Sequence, residues 1–295
     1  MGYEIKGIAH VGCLVKDRDA TIEFLDRVLG IHHHKSHFID YEENSRIMGI
    51  PDSVMKIGFA KEENRDIILE MIEYVKPSQP PMVNNLRTIG ASMISFLVPS
   101  ISEILKKCVG EKEKIVLEES EYTGGPFPGC RHAILLYDNF LYFELVEAVE
   151  NRSNRTRVCK ISYLVREIEP HVEFYKQFGL EDAGSYRKDL GGGRALEGTV
   201  LKNQESDFYV ELLKNRTDDL QQIEFTTGSL GLAHVCYHVE GISDFYQELI
   251  GRDVEFTDAP VTLRAGLNTG AKATYMTAPD NIKIEIYEGR LLEIA

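Results

Sequence analysis

The sequence predicts an α+β protein made of four copies of one module, in which a strand and a helix are followed by three strands. The first observation is a repeated phrase: residues 7–12 read Gly-Ile-Ala-His-Val-Gly, and residues 231–236 read Gly-Leu-Ala-His-Val-Cys. The second is a recurring apolar-Glu-apolar-apolar strand, whose first glutamates are Glu70, Glu144, Glu211 and Glu285, spaced 74, 67 and 74 residues apart. Near-equal steps of this length indicate tandem repeats of one supersecondary unit.

The elements of module one can be assigned in order. Apolar residues alternate over 8–15, which is typical of a strand. The apolar spacing of Ile22, Leu25, Val28 and Leu29 predicts a helix, which ends at Gly30. Similar strand–helix pairs begin at residues 90, 158 and 231, and two short strand candidates separate each helix from the closing strand. Each copy is therefore expected to be a βαβββ unit.

A module of about 70 residues cannot bury both faces of its own sheet. Two modules must therefore pair, and four modules make two cup-shaped mixed β-sheets with flanking helices. The polar stretch 150–156 lacks apolar residues and is the best candidate linker. It predicts an N-terminal domain over 1–150 with modules one and two, and a C-terminal domain over 151–295 with modules three and four.

The composition limits the class of partner. With 43% apolar and 27% charged residues, the 295-residue chain is typical of globular proteins, and its net charge of −14 argues against nucleic acids and anionic membranes. No apolar run approaches the 18 residues of a membrane span, and the first residues do not resemble a signal peptide. We therefore expect a cytoplasmic protein that acts on a small molecule, with a homodimer as an open possibility. The five scattered cysteines are expected to be reduced.

Two stretches carry a family resemblance. Residues 9–17 read Ala-His-Val-Gly-Cys-Leu-Val-Lys-Asp, and residues 278–285 read Ala-Pro-Asp-Asn-Ile-Lys-Ile-Glu. They resemble the vicinal oxygen chelate superfamily, which includes glyoxalase I, extradiol dioxygenases and bleomycin-resistance proteins. The resemblance implies divalent-metal ligands at the histidine of a module's first strand and at the glutamate of its last strand. The matching residues are His10 and Glu70 in module one, and His234 and Glu285 in module four.

The other two modules depart from this pattern. Module two has Met93 at the histidine position and module three has Lys160, although both keep their glutamates. If modules one and four pair, as in the tandem glyoxalases that the chain resembles, one cup holds all four ligands. Lys160 in the other cup repels a divalent ion and can pair with a carboxylate. If neighbouring modules pair instead, both sites are incomplete. The economical interpretation is one complete metal site.

Imidazole and carboxylate ligands suit Zn, Ni, Co, Mn or Fe(II), and no nucleotide cofactor is expected. Four protein ligands leave two positions of a six-coordinate ion for a substrate with adjacent oxygens. The resemblance then implies a lyase or isomerase of the glyoxalase I type, in which the metal stabilises an enediolate and a glutamate moves the proton. Glu285 and Glu70 are the candidate bases, and Glu285 is preferred because a Gly-rich loop precedes its strand.

Three further residues are candidates for substrate binding. Arg264 and Lys272 flank that Gly-rich loop, where they could bind a carboxylate or phosphate, or could belong to an ordinary hairpin. Tyr275, followed by Ala278-Pro279, is similar to part of the extradiol dioxygenase signature. That signature also needs a histidine several residues earlier, and a dioxygenase also uses a histidine at the position of Lys160; both are missing here. An Fe-dependent ring-cleaving dioxygenase and a metal-free binding protein are therefore kept as alternatives.

Overall fold

The computed structural model describes residues 2–61, 67–78, 87–122, 124–147, 155–189, 195–202, 207–215, 227–231, 233–264 and 268–290. These residues form two compact units. Unit 1 comprises Met1–Glu23, His32–Pro81 and Glu224–Ala295, and unit 2 comprises Phe24–Ile31 and Met82–Ile223. Each unit contains one module from each half of the chain.

All four modules begin with the predicted strand and helix, and modules two and three then have the predicted three strands, whereas module one has an extra helix among its strands and module four has four strands after its helix. Module one comprises β1 (Glu4–Leu14), α1 (Arg18–Phe24), a π-helical turn (Leu25–Leu29), β2 (His32–Ile39), α2 (Glu42–Met48), β3 (Val54–Lys61) and β4 (Ile68–Lys76). Module two comprises β5 (Ser92–Val98), α3 (Ile101–Lys107), β6 (Glu113–Glu121), β7 (Arg131–Tyr137) and β8 (Leu141–Glu147). Module three comprises β9 (Arg157–Val165), α4 (Ile168–Tyr175), a 3₁₀ turn (Lys176–Phe178), β10 (Glu181–Asp189), β11 (Ala195–Lys202) and β12 (Tyr209–Lys214). Module four comprises β13 (Ala233–Glu240), α5 (Ile242–Ile250), β14 (Glu255–Phe256), β15 (Val261–Thr262), β16 (Lys272–Thr277), a 3₁₀ turn (Pro279–Asn281) and β17 (Lys283–Glu288).

Unit 1 is built on one nine-stranded mixed sheet. Its order is β14-β16-β17-β13-β1-β4-β3-β2, with β15 paired to β16. At its centre β1 of module one runs antiparallel to β13 of module four, and each runs parallel to its own closing strand, β4 or β17. Modules one and four therefore share a sheet.

Unit 2 repeats this arrangement with eight strands in the order β10-β11-β12-β9-β5-β8-β7-β6. Here β5 of module two runs antiparallel to β9 of module three. The α+β fold class and the pairing of module one with four and of two with three are both confirmed. Among the described strands, modules one and two do not share a sheet, and neither do modules three and four.

The strand register confirms the alignment of the four repeats. Gly12 of β1 lies opposite Glu70 of β4, so His10 stands two residues before the partner of the glutamate. The same offset places Met93 before Ser95, the partner of Glu144. In modules three and four it places Lys160 before Ser162, the partner of Glu211, and His234 before Cys236, the partner of Glu285. The histidine position is thus occupied by His, Met, Lys and His in turn.

The predicted linker over 150–156 falls largely on residues 150–154, which lie outside the described residues. The compact units do not coincide with the halves 1–150 and 151–295, because strand pairing joins the first module to the last. The division into these halves stays a prediction about how the modules follow one another along the chain.

All five cysteines are free thiols, as predicted. Among the described residues, no helix combines the length and the apolar character that a bilayer crossing requires.

Candidate metal centre

Four strands of unit 1 bring the predicted metal ligands together. His10 lies on β1, Glu70 on β4, His234 on β13 and Glu285 on β17, and one ligand atom from each lies within 4.8 Å of the other three. We call these four residues the His10 cluster. His234 is 1% exposed, Glu70 6% and Glu285 9%, so the cluster lies inside the cup rather than on its surface.

The distances within the cluster suit a single small cation. His10 Nε2 lies 2.9 Å from Glu285 Oε2 and 3.2 Å from Glu70 Oε2. His234 Nε2 lies 3.3 Å from Glu285 Oε2 and 3.9 Å from Glu70 Oε2. Ligands bound at about 2.1 Å from one six-coordinate ion are about 3.0 Å apart when adjacent and about 4.2 Å when opposite. The donors and their spacing therefore fit a divalent transition-metal ion.

The local charges favour a cation between these side chains. Burial alone would raise the pKa of Glu285, but His10 and His234 beside it hold that pKa well below its usual range. Burial would lower the pKa of His10, whereas Cys236, Glu70 and Glu285 raise it above its usual range. Two carboxylates at the end of a buried cleft attract a positive ion strongly.

Tyr275 contacts the cluster directly. It lies on β16 opposite Glu285, and its hydroxyl donates a hydrogen bond of 3.2 Å to Glu285 Oε2. The same hydroxyl lies 3.3 Å from His234 Nε2. The sequence singled out Tyr275 as a substrate contact, and the structure places it beside two of the four ligand candidates.

The basic residues of the Gly-rich loop are not brought to the cluster. Arg264 is mostly exposed and pairs with Glu43 at 3.0 Å, and Lys272 pairs with Glu288 at 3.4 Å. Neither belongs to the lining of the cleft beside the cluster, although Leu263 does. These contacts give no support to the predicted role of Arg264 and Lys272 in substrate binding.

A cleft in unit 1 leads to the two carboxylates of the cluster. Glu70, Glu285 and Tyr275 form its polar end, together with His37 of β2 and Asn44 of α2. Most of the remaining wall is apolar and comes from β2, α2, β3 and β4: Ile39, Ile47, Met48, Met55, Ile57 and Ile72. Sequence patterns did not single out His37 or Asn44, because neither belongs to the repeated motifs; strand β2 and helix α2 place them here.

In unit 2, the position that corresponds to the His10 cluster is occupied by the ammonium groups of two lysines. Lys160 Nζ lies 2.8 Å from Glu144 Oε2 and 2.6 Å from Glu211 Oε1, as its position in the repeat predicted. A second lysine, Lys188 of β10, lies 2.7 Å from Glu144 Oε1 and 3.0 Å from Glu211 Oε2. We call these four buried residues the Lys160 cluster. Its two ammonium groups supply the charge that a divalent ion would supply.

The chain was compared with known proteins. Residues 159–275 match the profile of the Glyoxalase/Bleomycin resistance protein/Dioxygenase superfamily. Glyoxalase I from Zea mays has a similar structure, with a TM-score of 0.65 and 14% sequence identity over 97% of this chain and 93% of that chain. The "putative dioxygenase" of Bacillus subtilis subsp. subtilis str. 168 gives 0.64 and 14% over 97% and 86%. No curated protein matches the sequence. The resemblance is therefore confirmed: residues 159–275 match this superfamily in sequence, and the chain has the fold of glyoxalase I.

Proposed function

We propose that the His10 cluster holds one divalent metal ion and that the protein is a lyase or isomerase of the glyoxalase I type. The observation that carries the proposal is the convergence of two imidazoles and two carboxylates, from four strands of two modules, within 4.8 Å. A 2-His-1-carboxylate set is typical of Fe(II) oxygenases, so the second carboxylate favours proton-transfer chemistry. The substrate would be a small molecule with two adjacent oxygens.

A bound ion would polarise a substrate oxygen and thereby acidify the neighbouring carbon. The protein must then supply a base for the carbon-bound proton. Glu70 and Glu285 are the candidates, because both carboxylates face the cleft. A carboxylate within reach of the substrate carbon would take that proton and return it at the adjacent carbon.

The contacts of the two carboxylates differ. Glu285 Oε2 lies 2.9 Å from His10, 3.3 Å from His234 and 3.2 Å from Tyr275. Glu70 Oε2 lies 3.2 Å from His10 and 3.9 Å from His234, and among the described residues it makes no contact with the Tyr275 hydroxyl of the kind that Glu285 makes. A carboxylate with fewer partners is easier to release toward a substrate. The sequence preferred Glu285 as the base, and these contacts favour Glu70 in that role with Glu285 as the more firmly held group.

The experiment compares Glu70→Gln and Glu285→Gln in protein loaded with Mn, Co, Ni or Zn. The substrates are thiohemiacetals of 2-oxoaldehydes, assayed in deuterated water so that proton transfer at carbon is seen directly by NMR. We expect conversion by wild type and a loss of about 10²–10⁴-fold in the variant that lacks the base. Metal content is measured in parallel, so that loss of a ligand is distinguished from loss of a base.

Conversion by metal-loaded Glu70→Gln at the wild-type rate would exclude Glu70 as the base. If wild type takes up metal but leaves every thiohemiacetal unchanged, the proposed reaction type is wrong while the metal site stands. Failure of wild type to take up any ion would contradict the proposal and favour the metal-free binding protein.

A second candidate function has one observation in its favour. Tyr275 donates to Glu285 beside His234, and the sequence around Tyr275 is similar to part of the extradiol dioxygenase signature. An Fe(II)-dependent ring-cleaving enzyme would consume oxygen in the presence of a catechol. Oxygen uptake by the Fe(II)-loaded protein, abolished in His234→Ala, would support this reaction instead of proton transfer.

A further inference from the structure

Two polar atoms in the wall of the cleft have no hydrogen-bond partner in the part of the chain that the structure describes. His37 Nδ1 and Asn44 Oδ1 are both buried, and neither makes a hydrogen bond with any described residue. Asn44 as a whole is only 7% exposed. Buried polar atoms are usually hydrogen-bonded, so unpaired ones demand an explanation. Both residues line the cleft that leads to Glu70 and Glu285, where a bound molecule can supply the missing bonds.

The His37 ring is held in place by Phe59 on the neighbouring strand. The two ring centroids are 5.6 Å apart with planes inclined by 22°, which is a stacked arrangement. Burial lowers the pKa of His37, so the imidazole is neutral near pH 7 and brings no positive charge to the cleft. In the neutral ring Nδ1 either donates or accepts, depending on the tautomer, whereas Asn44 Oδ1 accepts only.

The described part of the cleft wall also offers no lysine or arginine to receive an anion. None of the described residues that line it is a lysine or an arginine, while two carboxylates face it. An ionised carboxylate or phosphate that lay against the cleft wall away from the His10 cluster would lose its water without gaining a counter-charge. The rest of the wall is largely apolar, which suits an uncharged body.

We propose that the cleft selects an uncharged, largely apolar substrate, with a hydroxyl or amine that Asn44 and His37 bind away from the adjacent oxygens. Asn44 Oδ1 accepts the hydrogen of that group, and His37 Nδ1 bonds the same group or its neighbour. The adjacent oxygens face the His10 cluster, so the substrate class rests on the proposed function. An anionic thiol conjugate is correspondingly excluded from this cleft.

The test uses four hydroxamates, which share a head with two adjacent oxygens. They are benzohydroxamate, its 3-hydroxy and 4-hydroxy derivatives, and a hydroxamate of glutathione. Affinities are measured by calorimetry on zinc-treated protein and by ligand-observed NMR on metal-free protein. Zinc content is determined for each preparation. The variants are Asn44→Leu and His37→Phe, with His33→Gln as the control, because His33 is exposed on the same strand.

We expect benzohydroxamate to bind at least tenfold more tightly than the glutathione derivative. One of the hydroxy derivatives should bind more tightly than benzohydroxamate itself. Asn44→Leu or His37→Phe should remove this gain, which amounts to roughly 3–10-fold for one hydrogen bond. His33→Gln should leave every affinity unchanged.

Three results would overturn the inference. They are equal or tighter binding of the glutathione derivative, insensitivity of all probes to both variants, and no binding in either form of the protein. If zinc binds but the probes ignore Asn44 and His37, the inference fails and the proposed function stands. If zinc does not bind but metal-free protein shows the expected selectivity, the proposed function fails and the specificity of the cleft stands.

Discussion

Gly12 gives the imidazole of His234 the space that it occupies. The two residues lie opposite each other on β1 and β13. A Cβ atom added to Gly12 would lie 2.1 Å from His234 Cε1 and 2.3 Å from His234 Nε2, which is far inside van der Waals contact. The repeated phrase therefore reads Ala-His-Val-Gly in module one for a steric reason that involves module four.

Replacing Gly12 by alanine should impair the metal site without removing any ligand. We expect Gly12→Ala to displace the His234 ring and to weaken metal binding by roughly 10–100-fold, the usual cost of disturbing a ligand's support. Metal affinity is measured by competition with a chromophoric chelator. Gly251→Ala is the control, because Gly251 has ordinary helical backbone angles at the end of α5. An unchanged affinity in Gly12→Ala would contradict the placement of His234.

The Lys160 cluster lies in unit 2 at the position that corresponds to the His10 cluster of unit 1, and its positive charge comes from lysines instead of a metal ion. Burial alone would raise the pKa of Glu144, but Lys160 and Lys188 hold it well below its usual range. Burial would lower the pKa of Lys160, whereas Glu144 and Glu211 raise it above its usual range. The four charges balance, so removal of one leaves an uncompensated buried ion.

Lys160→Met should therefore be strongly destabilising. We expect the free energy of unfolding to fall by about 3–5 kcal/mol, as is usual when one partner of a buried ion pair is removed. Denaturant titration followed by circular dichroism measures this change. Lys214→Met is the matched control: Lys214 pairs with Glu167 near the surface, and its loss should cost at most about 1 kcal/mol. If the two substitutions lowered the free energy of unfolding equally, the Lys160 cluster would contribute no more to stability than a surface ion pair.

Strand β1 contains two irregularities that help to place His10. Its pairing with β13 shifts register between Ile5 and Gly7 and again between Ile8 and His10, and Gly7 has a positive φ of 116°. Each bulge adds a residue to β1 and changes which side chains face the cup. The second bulge lies directly before His10, where it sets the face on which the following residues, including Gly12, are presented.

In unit 2 the space beside the Lys160 cluster is filled by the side chain of Tyr186. Tyr186 of β10 stacks on Tyr122 with ring centroids 5.9 Å apart, and its hydroxyl donates to Glu211. Cβ atoms added to Gly124, Gly125 or Gly198 would lie 2.6–2.8 Å from Tyr186. Three glycines thus make the slot in which this ring packs.

Gly198→Ala should close part of that slot. We expect a destabilisation of about 1–3 kcal/mol, typical of overpacking in a filled interior, measured by thermal and denaturant unfolding. The combination with Tyr186→Ala tests the cause, because the cost of Gly198→Ala should largely disappear when the ring is absent. Additive costs in the double variant would exclude a contact between the two positions.

The Lys160 cluster also predicts how the stability of the whole molecule responds to acid. Lys160 and Lys188 lower the pKa of Glu211 to about 2, against the raising effect of burial, whereas its ordinary value is 4.5. A carboxylate with a lowered folded-state pKa stabilises the fold above its ordinary pKa, and this contribution is lost as the pH falls toward the folded-state value.

The free energy of unfolding should therefore decrease from about pH 5 down to about pH 2. One proton taken up on unfolding gives a slope of up to about 1.4 kcal/mol per pH unit. Urea titrations at several pH values should show a shallower slope in Glu211→Gln than in wild type. A Glu211→Gln slope as steep as that of wild type would mean that this carboxylate is not paired in the folded protein.

The repeat carried most of the information that the sequence held about the fold. The phrase around His10 and His234 and the spacing of the closing glutamates predicted the modules and their pairing, because register propagates from a few motif positions along each strand. Lys188, His37 and Asn44 could not be found in this way. They lie outside the motif. Only the three-dimensional packing of the paired modules brings them close to the His10 cluster or to the Lys160 cluster.

The central claim is that one metal ion joins module one to module four, and a count of ions per chain tests it most directly. The protein is purified without chelator or affinity nickel and analysed for metals as wild type, His10→Ala and His234→Ala. His132→Gln is analysed as well, since His132 contacts Glu144 in unit 2. We predict one divalent ion per chain in wild type and in His132→Gln, and a loss of most of it in both alanine variants. A full ion in His10→Ala or in His234→Ala, or no ion bound by wild type after titration, would contradict the claim.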